Sequence, residues 1–231
     1  TCALPILKIK IMDSFQKNSI ICLTLYINCE ILMIVQVNNY IEGCKVGIKI
    51  ILEDNPVIAA VKDEEQLKKA LDSNVQIIFV LWGDLLNITK ISEEIYSHNK
   101  VGILHIDLVE GLSNKEVVLK YLKEQTKFQG IISTKPQMVK YAKSMGLYAV
   151  QRVFLYDTIS LNNAKKHIMN ECDAIEMLPG IMPKVIKTIS GYYPSKPIIC
   201  GGLIESKDEV IQALSSGATC VSTTKEKIWD M

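Results

Sequence analysis

The stretch PVIAAVKDEEQLKKALDS, residues 56–73, joins a short apolar run to a segment with helical spacing. Its first part, PVIAAV, carries no polar residue, as expected of a strand that is covered on both faces of a parallel sheet. In its second part Leu67, Ala70 and Leu71 fall on one face of a helix, and Asp63 is the predicted N-cap. The stretch therefore predicts one buried strand followed by one amphipathic helix.

The same unit recurs along the chain at a spacing of roughly 22 to 25 residues, as in compact barrels. Seven further runs predict strands: VQIIFVL (75–81), VGILHIDL (101–108), GIISTK (130–135), LYAVQRVFL (147–155), AIEMLPG (174–180), PIICGGL (197–203) and TCVSTT (219–224). Eight parallel strands indicate an α/β fold, a compact (β/α)8 TIM barrel, because a doubly wound open sheet usually stops at five or six strands. We expect one barrel domain over residues 46–231. Its last helix should be short, because only EKIWDM follows Lys225.

Residues 1–45 differ from the rest of the chain. They contain four of the seven cysteines and show neither helical nor strand periodicity. We expect an atypical N-terminal extension outside the fold, with three alternatives: a non-native or mis-assigned start, a membrane anchor, or a docking segment. The run 19–37 is long enough for a membrane span, but Asn28 and Glu30 lie near its centre, where a charge is costly.

Charge and cysteine content exclude several partner classes. The 26 basic and 25 acidic side chains leave a net charge of +1, so no overall basic field predicts binding to DNA or to a membrane. Seven cysteines without a C-x-x-C pair or metal-ligand spacing predict free thiols in a reducing cytoplasm and no metal site.

Polar residues gather at the predicted C-terminal strand ends, where barrels of this class place their functional groups. Gly201 and Gly202 follow the seventh strand, and Ser222 and Thr223 end the eighth. The glycines allow backbone N–H groups to approach an anion, and the hydroxyls add donors. A pair of glycines alone also suits a tight turn, but together with the hydroxyls it predicts a phosphate-binding site.

Three further polar residues follow the third strand in HIDLVEG. Strand alternation would place His105 and Asp107 on the same side, with Glu110 just beyond them. Three polar groups at one strand end predict contact with a ligand.

Two cations and one more carboxylate complete the predicted ligand set. Lys135 ends the fourth strand and could form a Schiff base or act as a fixed cation beside the phosphate. Arg152 could clamp the anion or pair with Glu176 on the next strand, and the sequence does not separate these two roles.

Several motifs resemble one family. HIDLVEGL, GIISTK, QRVFLYDT, IEMLPGIMPK and CGGLIESKDEV, followed by ALSSGA and STT, are similar to segments of the glycerol-3-phosphate-responsive antiterminators of glycerol uptake operons. The resemblance runs from about Asn55 to Trp229. It implies a cytoplasmic regulator that senses glycerol 3-phosphate, binds the leader mRNA of glycerol uptake and catabolism genes, and prevents premature termination without a catalytic step.

The residues themselves favour a small polyol phosphate as ligand and are compatible with a homodimer. No RNP-like motif and no aromatic platform for stacking bases is evident, so RNA binding depends on the resemblance. One alternative is a barrel enzyme, an isomerase, aldolase or phosphodiesterase, in which His105, Glu110 or Glu176 is the acid or base and Lys135 a nucleophile. Another is an interaction scaffold that has lost its ligand. Local basic groups occur at Lys140/Lys143, Lys165/Lys166 and Lys184/Lys187.

Overall fold

The computed structural model describes residues 40–41, 44–45 and 47–231. Two short antiparallel strands, Tyr40–Ile41 and Cys44–Lys45, are followed by a helix over Ile48–Asp54, here called the leading helix. Apart from those two strands, the predicted extension over residues 1–45 lies outside the described residues, and the domain boundary stays a prediction. No helix in the described ranges is long and apolar enough to cross a membrane.

Eight parallel strands form a closed barrel, in which each strand pairs with the next and the eighth pairs with the first. They are β1 (Val57–Val61), β2 (Ile77–Val80), β3 (Val101–His105), β4 (Gly130–Ser133), β5 (Tyr148–Phe154), β6 (Ala174–Leu178), β7 (Ile198–Gly201) and β8 (Cys220–Thr223). The predicted (β/α)8 barrel is confirmed.

Helices connect successive strands along the described chain. They are α1 (Glu64–Asp72), α2 (Ile88–Ser97), α3 (Glu116–Gln125), α4 (Pro136–Ser144), α5 (Thr158–His167), α6 (Pro183–Tyr192) and α7 (Lys207–Ser215). After β8 only a 3-10 turn, Glu226–Ile228, follows, so the short last helix is also confirmed.

The α1 helix shows how the sequence pattern becomes packing. The Asp63 carboxylate accepts a hydrogen bond from the Gln66 N–H, which satisfies one of the free donors of the first turn. Leu67, Ala70 and Leu71 are buried against the outside of the barrel, as their spacing predicts. The other helices cover the strands in the same way, so both faces of the sheet are dry.

The inside of the barrel is a separate hydrophobic cluster. Residues such as Ile103, Val150 and Ile199 fill it, and the leading helix adds Ile48 and Leu52. Because apolar side chains fill this volume, the polar groups of the interior are confined to the C-terminal strand ends.

Candidate functional site

A cavity of about 360 Å³ opens at the C-terminal end of the barrel between β1 and the β5–β8 side. We call it the mouth cavity. Its polar lining comes from Lys62, Arg152, Glu176, Glu205, Ser222, Thr223, Thr224 and Lys225, and Gly202 and Leu203 form part of its wall. The polar lining thus comes from five strand ends, including the predicted seventh and eighth.

A buried ion pair lies at the base of this cavity. The Arg152 Nε donates to Glu176 Oε2 at 2.7 Å, and the Ser222 hydroxyl donates to Glu176 Oε1, also at 2.7 Å. The Glu176 side chain is only 1% exposed. Of the two roles open to Arg152, the structure shows the pairing with Glu176. Its two Nη groups make no hydrogen bond to the described residues, so they remain available to an anion.

Gly201 lies directly over this pair. A Cβ at position 201 would stand 2.6 Å from the Ser222 Oγ and 2.9 Å from the Glu176 Oε1. Any side chain would therefore displace the Ser222–Glu176 hydrogen bond. The first of the two glycines is needed for close packing beneath the cavity.

The turn after β7 has an unusual backbone. Gly202 has φ +74° and Leu203 has φ +62°, the left-handed region that a leucine rarely adopts. No hydrogen bond from the N–H groups of Gly202, Leu203 or Thr224 to a protein acceptor is present in the described part of the chain. Unused N–H groups in the wall of a cavity are the donors that an anion needs.

The start of α7 contributes no residue to the lining of the mouth cavity. Ser206 and Glu209 form a capping box, in which the Glu209 carboxylate accepts from the Ser206 N–H and the Ser206 hydroxyl accepts from the Glu209 N–H. The capping box thus satisfies the N–H groups of Ser206 and Glu209. An anion in the mouth cavity must bind to the turn itself rather than to the end of this helix.

Thr223 has a structural role in the observed arrangement. Its hydroxyl donates to the Ile204 carbonyl at 2.8 Å and accepts from the Lys225 N–H at 3.1 Å, while its own carbonyl accepts from the Trp229 indole N–H. Thr223 therefore ties the loops after β7 and β8 to each other, and its hydroxyl has no donor left for a ligand.

Charges in the mouth cavity are unevenly balanced. Arg152 pairs with Glu176, and Lys225 pairs with Glu205 at 2.8 Å. Lys62 forms no ion pair with any described residue. The predicted ligand set omits Lys62 and Thr224, although both are polar strand ends, because only the closed barrel shows which strand ends share a cavity.

His105 lies in the interior at the end of β3. It is buried, and its Nδ1 is the one buried side-chain polar atom in the described chain that lacks a hydrogen-bond partner. Burial, and then the neighbouring positive charge of Arg152, lower the pKa of His105 to about 4. At neutral pH the imidazole is therefore uncharged.

Asp107 does not continue the strand alternation. β3 ends at His105 and a 3-10 turn covers Ile106–Leu108, so the expectation that His105 and Asp107 share one side of a strand is wrong. The Asp107 carboxylate instead accepts hydrogen bonds from the Ser133 hydroxyl and from the N–H and hydroxyl of Thr134. Burial alone would raise the pKa of Asp107, but these hydrogen bonds outweigh it and the pKa lies below its usual value.

Lys135 and Glu110 lie on the rim outside the mouth cavity. The Lys135 Nζ donates to Asn114 Oδ1 at 2.6 Å and lies 3.6 Å from Asp107 Oδ1, and its side chain is 44% exposed. The Glu110 side chain is exposed, and its backbone bonds to Gly83 and Leu85 to join two neighbouring loops. The desolvation that would activate a Schiff-base lysine is thus missing at Lys135.

The remaining chemistry-bearing side chains form no second cluster. No group of three or more His, Cys, Asp or Glu side chains within the described ranges is arranged to hold a metal ion. Cys172, Cys200 and Cys220 are free and buried, and burial raises the pKa of Cys200 to about 12. These three thiols lie in the core and take no part in the mouth cavity.

Known proteins match this chain along the whole barrel. The uncharacterized protein YgcP of Escherichia coli (strain K12) is 41% identical over 182 residues, which is 78% of this chain and 95% of that protein. The glycerol uptake operon antiterminator regulatory protein of Listeria monocytogenes str. 4b F2365 is 29% identical with a TM-score of 0.70, over 75% of this chain and 94% of its own. A glycerol uptake operon antiterminator-related protein from Thermotoga maritima MSB8 is 28% identical with a TM-score of 0.68, over 77% of this chain and 99% of its own.

The family model described as "Glycerol-3-phosphate responsive antiterminator" matches residues 57–229, from the first residue of β1 to Trp229. The match includes every strand of the barrel and all of the residues that line the mouth cavity. The chain belongs to the glycerol-3-phosphate responsive antiterminator family.

Proposed function

We propose that this protein senses glycerol 3-phosphate in the mouth cavity and, in the cytoplasm, binds the leader mRNA of glycerol uptake and catabolism genes so that transcription passes a terminator. Family membership supports the regulatory class. The observation that carries the ligand assignment is the set of unused donors around one small cavity: Lys62 Nζ, the Arg152 Nη groups, and the N–H groups of Gly202, Leu203 and Thr224.

Ligand size and charge suit this cavity. Its volume, about 360 Å³, lies near the lower end of the range for small-molecule sites. In the proposal, the phosphate binds between Lys62 and the Gly202–Leu203 turn, with Arg152 on the side of Glu176. The glycerol hydroxyls reach toward Ser222, Glu176 and the unpartnered Nδ1 of His105. Gly201 and Thr223 shape the loops, and Asp107, Glu110 and Lys135 belong to the rim that closes over the ligand.

The proposal includes no catalytic step. Glu176 is held by Arg152 and Ser222, and His105 is uncharged at neutral pH, so the cationic imidazolium that would serve as a general acid is absent. Ligand binding instead biases one arrangement of the rim loops, and that arrangement binds RNA more tightly. A coupling free energy of about 1–3 kcal/mol corresponds to a 5- to 150-fold change in RNA affinity, which is sufficient for regulation.

Thermal melting of the full chain tests the ligand. Glycerol 3-phosphate at a hundred times its Kd should add about 2.7 kcal/mol, or roughly 5–11 °C in Tm, whereas glycerol and inorganic phosphate should add much less. Lys62→Met should weaken glycerol 3-phosphate roughly 10- to 100-fold, since it removes a charge-assisted hydrogen bond. Lys49→Met is the matched control, because Lys49 is an exposed lysine on the leading helix. Equal stabilisation of both variants would refute this site.

Transcription in vitro tests the regulatory step. A template with a glycerol-gene leader and its terminator should show more read-through with protein and glycerol 3-phosphate together than with either alone. In parallel, ³¹P NMR of glycerol 3-phosphate and related sugar phosphates should show no conversion. Turnover of any of them, lost in Glu176→Gln, would replace the regulator by a barrel enzyme.

A further inference from the structure

A second opening, also of about 360 Å³, lies beside the mouth cavity between the ends of β4 and β5 and the length of α5. We call it the rim groove, and the residues used below are Arg152, Phe154, Tyr156, Ile159, Asn163 and His167. The family assignment gives no role to this groove, and the sequence predicts no role for Phe154, Tyr156 or Ile159.

Large apolar side chains stand exposed along this groove. Phe154 is 51% exposed, Tyr156 79% and Ile159 69%. All three line the same groove, so they form one patch rather than scattered surface residues. Contiguous exposed apolar surface with a polar border is typical of an interaction site.

The loop that carries these side chains is held in place. The Asp157 carboxylate accepts from the Ser160 N–H at 2.6 Å, and the Ser160 hydroxyl accepts from the N–H groups of Tyr156 and Asp157 at 3.0 Å. This capping box fixes the first turn of α5 and the backbone of Tyr156. The aromatic rings are thus presented by an ordered backbone, which lowers the entropy lost on binding.

Hydrogen-bonding groups without protein partners lie next to the rings. In the described part of the chain no hydrogen bond engages the Tyr156 hydroxyl or the Asn163 side-chain amide. The His167 Nδ1 bonds to the Asn163 carbonyl, which leaves its Nε2 free. No carboxylate lines the groove, and the charge of Arg152 is balanced by Glu176, which lies outside the groove lining.

A nucleobase has a flat aromatic face and an edge of donors and acceptors, and its phosphate is anionic. Exposed aromatic rings match the flat face, the unpartnered hydroxyl, amide and imidazole groups match the edge, and a lining without carboxylates admits the phosphate. We propose that the rim groove binds unpaired bases of the RNA, which rests on the proposed function and names the face that performs it. A protein partner would leave the unpartnered donors without an evident use.

Arg152 belongs to both openings, since it lines the mouth cavity as well as the rim groove. A phosphate that engages its Nη groups in the mouth cavity therefore also changes the wall of the groove. Arg152 and its partner Glu176 therefore form a physical link between ligand and RNA, of the kind that a coupling free energy requires.

Photocrosslinking of the full chain tests this face. The probe is a random-sequence RNA of roughly 16 nucleotides that contains 4-thiouridine, with and without glycerol 3-phosphate. Trypsin cuts after Arg152 and Lys165, so both rings, Ile159 and Asn163 lie in one peptide, 153–165. We expect crosslinks in this peptide, and more of them with glycerol 3-phosphate present.

Variants measure the contribution of each ring. Phe154→Ala and Tyr156→Ala should each weaken RNA binding roughly 5- to 150-fold, the usual effect of losing one stacked base. Tyr96→Ala is the matched control, because Tyr96 is 51% exposed at the far end of α2 and should leave RNA affinity unchanged. All three variants should keep the Tm increase with glycerol 3-phosphate.

Each of the following results would overturn a specific part of the proposal. Crosslinks confined to other peptides, or unchanged affinity in both ring variants, overturn the rim groove and leave the proposed function standing. Ligand stabilisation without any RNA binding overturns the regulatory function and the groove together. Sedimentation that shows a dimer in the unsubstituted protein and a monomer in Phe154→Ala would assign the groove to a second copy of this chain and overturn the RNA assignment.

Discussion

Replacing Arg152 with leucine should sharply destabilise the protein, because it leaves the Glu176 carboxylate buried without its cation. Glu176 is 1% exposed and would keep only the Ser222 hydroxyl, at 2.7 Å. Removal of one partner from a buried ion pair costs about 3–5 kcal/mol. At about 2–4 °C for each kcal/mol in a domain of this size, Arg152→Leu should lower the Tm by roughly 6–20 °C.

The double variant Arg152→Leu with Glu176→Leu separates charge from packing. Replacing both members of a buried pair with apolar residues is often neutral or stabilising, since no charge is left desolvated. We expect the double variant to regain most of the stability that the single variant loses. Neither variant should respond to glycerol 3-phosphate, because both lack the Arg152 Nη groups.

Urea unfolding monitored by circular dichroism at neutral pH measures these free energies. Lys143→Leu serves as the control, since Lys143 pairs with Asp173 at the same distance, 2.7 Å, but the two side chains are 35% and 19% exposed. That partly solvated pair should contribute less than about 1 kcal/mol. The reasoning is refuted if Arg152→Leu costs no more than Lys143→Leu, or if the double variant is as unstable as the single one.

Two further predictions concern the same interior layer. Gly201→Ala should lower the free energy of unfolding by about 1–3 kcal/mol, because the added Cβ would stand 2.6 Å from the Ser222 Oγ and overpack the interior. Gly191→Ala is the control, because the space around that Cβ is open, and it should not lower the free energy of unfolding in the same urea titration. The second concerns pH. Because the folded-state pKa of His105 is depressed from 6.5 to about 4, the unfolded chain takes up a proton first as the pH falls, and the free energy of unfolding should drop by up to about 3 kcal/mol between pH 6.5 and pH 4. His105→Phe should flatten this slope in urea titrations across that range, and parallel slopes would contradict the assignment.

The alternation of strands and helices is well encoded in local sequence. Apolar runs mark the strands, and the spacing of Leu67, Ala70 and Leu71 marks a helix face, because both patterns reflect burial within a few residues. The end of β3 is different. The run VGILHIDL suggests a strand to residue 108, but the chain turns after His105, and the Asp107 carboxylate bonds to the N–H and hydroxyl of Thr134, 27 positions away.

The candidate site shows the same limit. Sequence placed polar residues at the ends of the seventh and eighth strands, and the mouth cavity lies there. It did not predict that Thr223 would be used to join two loops, or that Lys62 from β1 would line the same cavity. Strand alternation predicts the side on which a residue lies only as far as the strand extends. It does not predict which loops from distant parts of the chain lie next to each other.

From sequence alone, the order of strands and helices, the closed barrel and the end at which polar groups collect were determined, since periodicity and composition act locally. Which side chains form hydrogen bonds and ion pairs with each other was decided by the tertiary structure alone. The register between β5 and β6 sets Arg152 opposite Glu176, 24 positions apart, and closure of the barrel brings in Ser222 from 46 positions beyond Glu176. The Glu176 carboxylate can be buried only because the strand register places a cation and a hydroxyl beside it. This arrangement exists only in the closed sheet, where strands far apart in the chain lie next to each other.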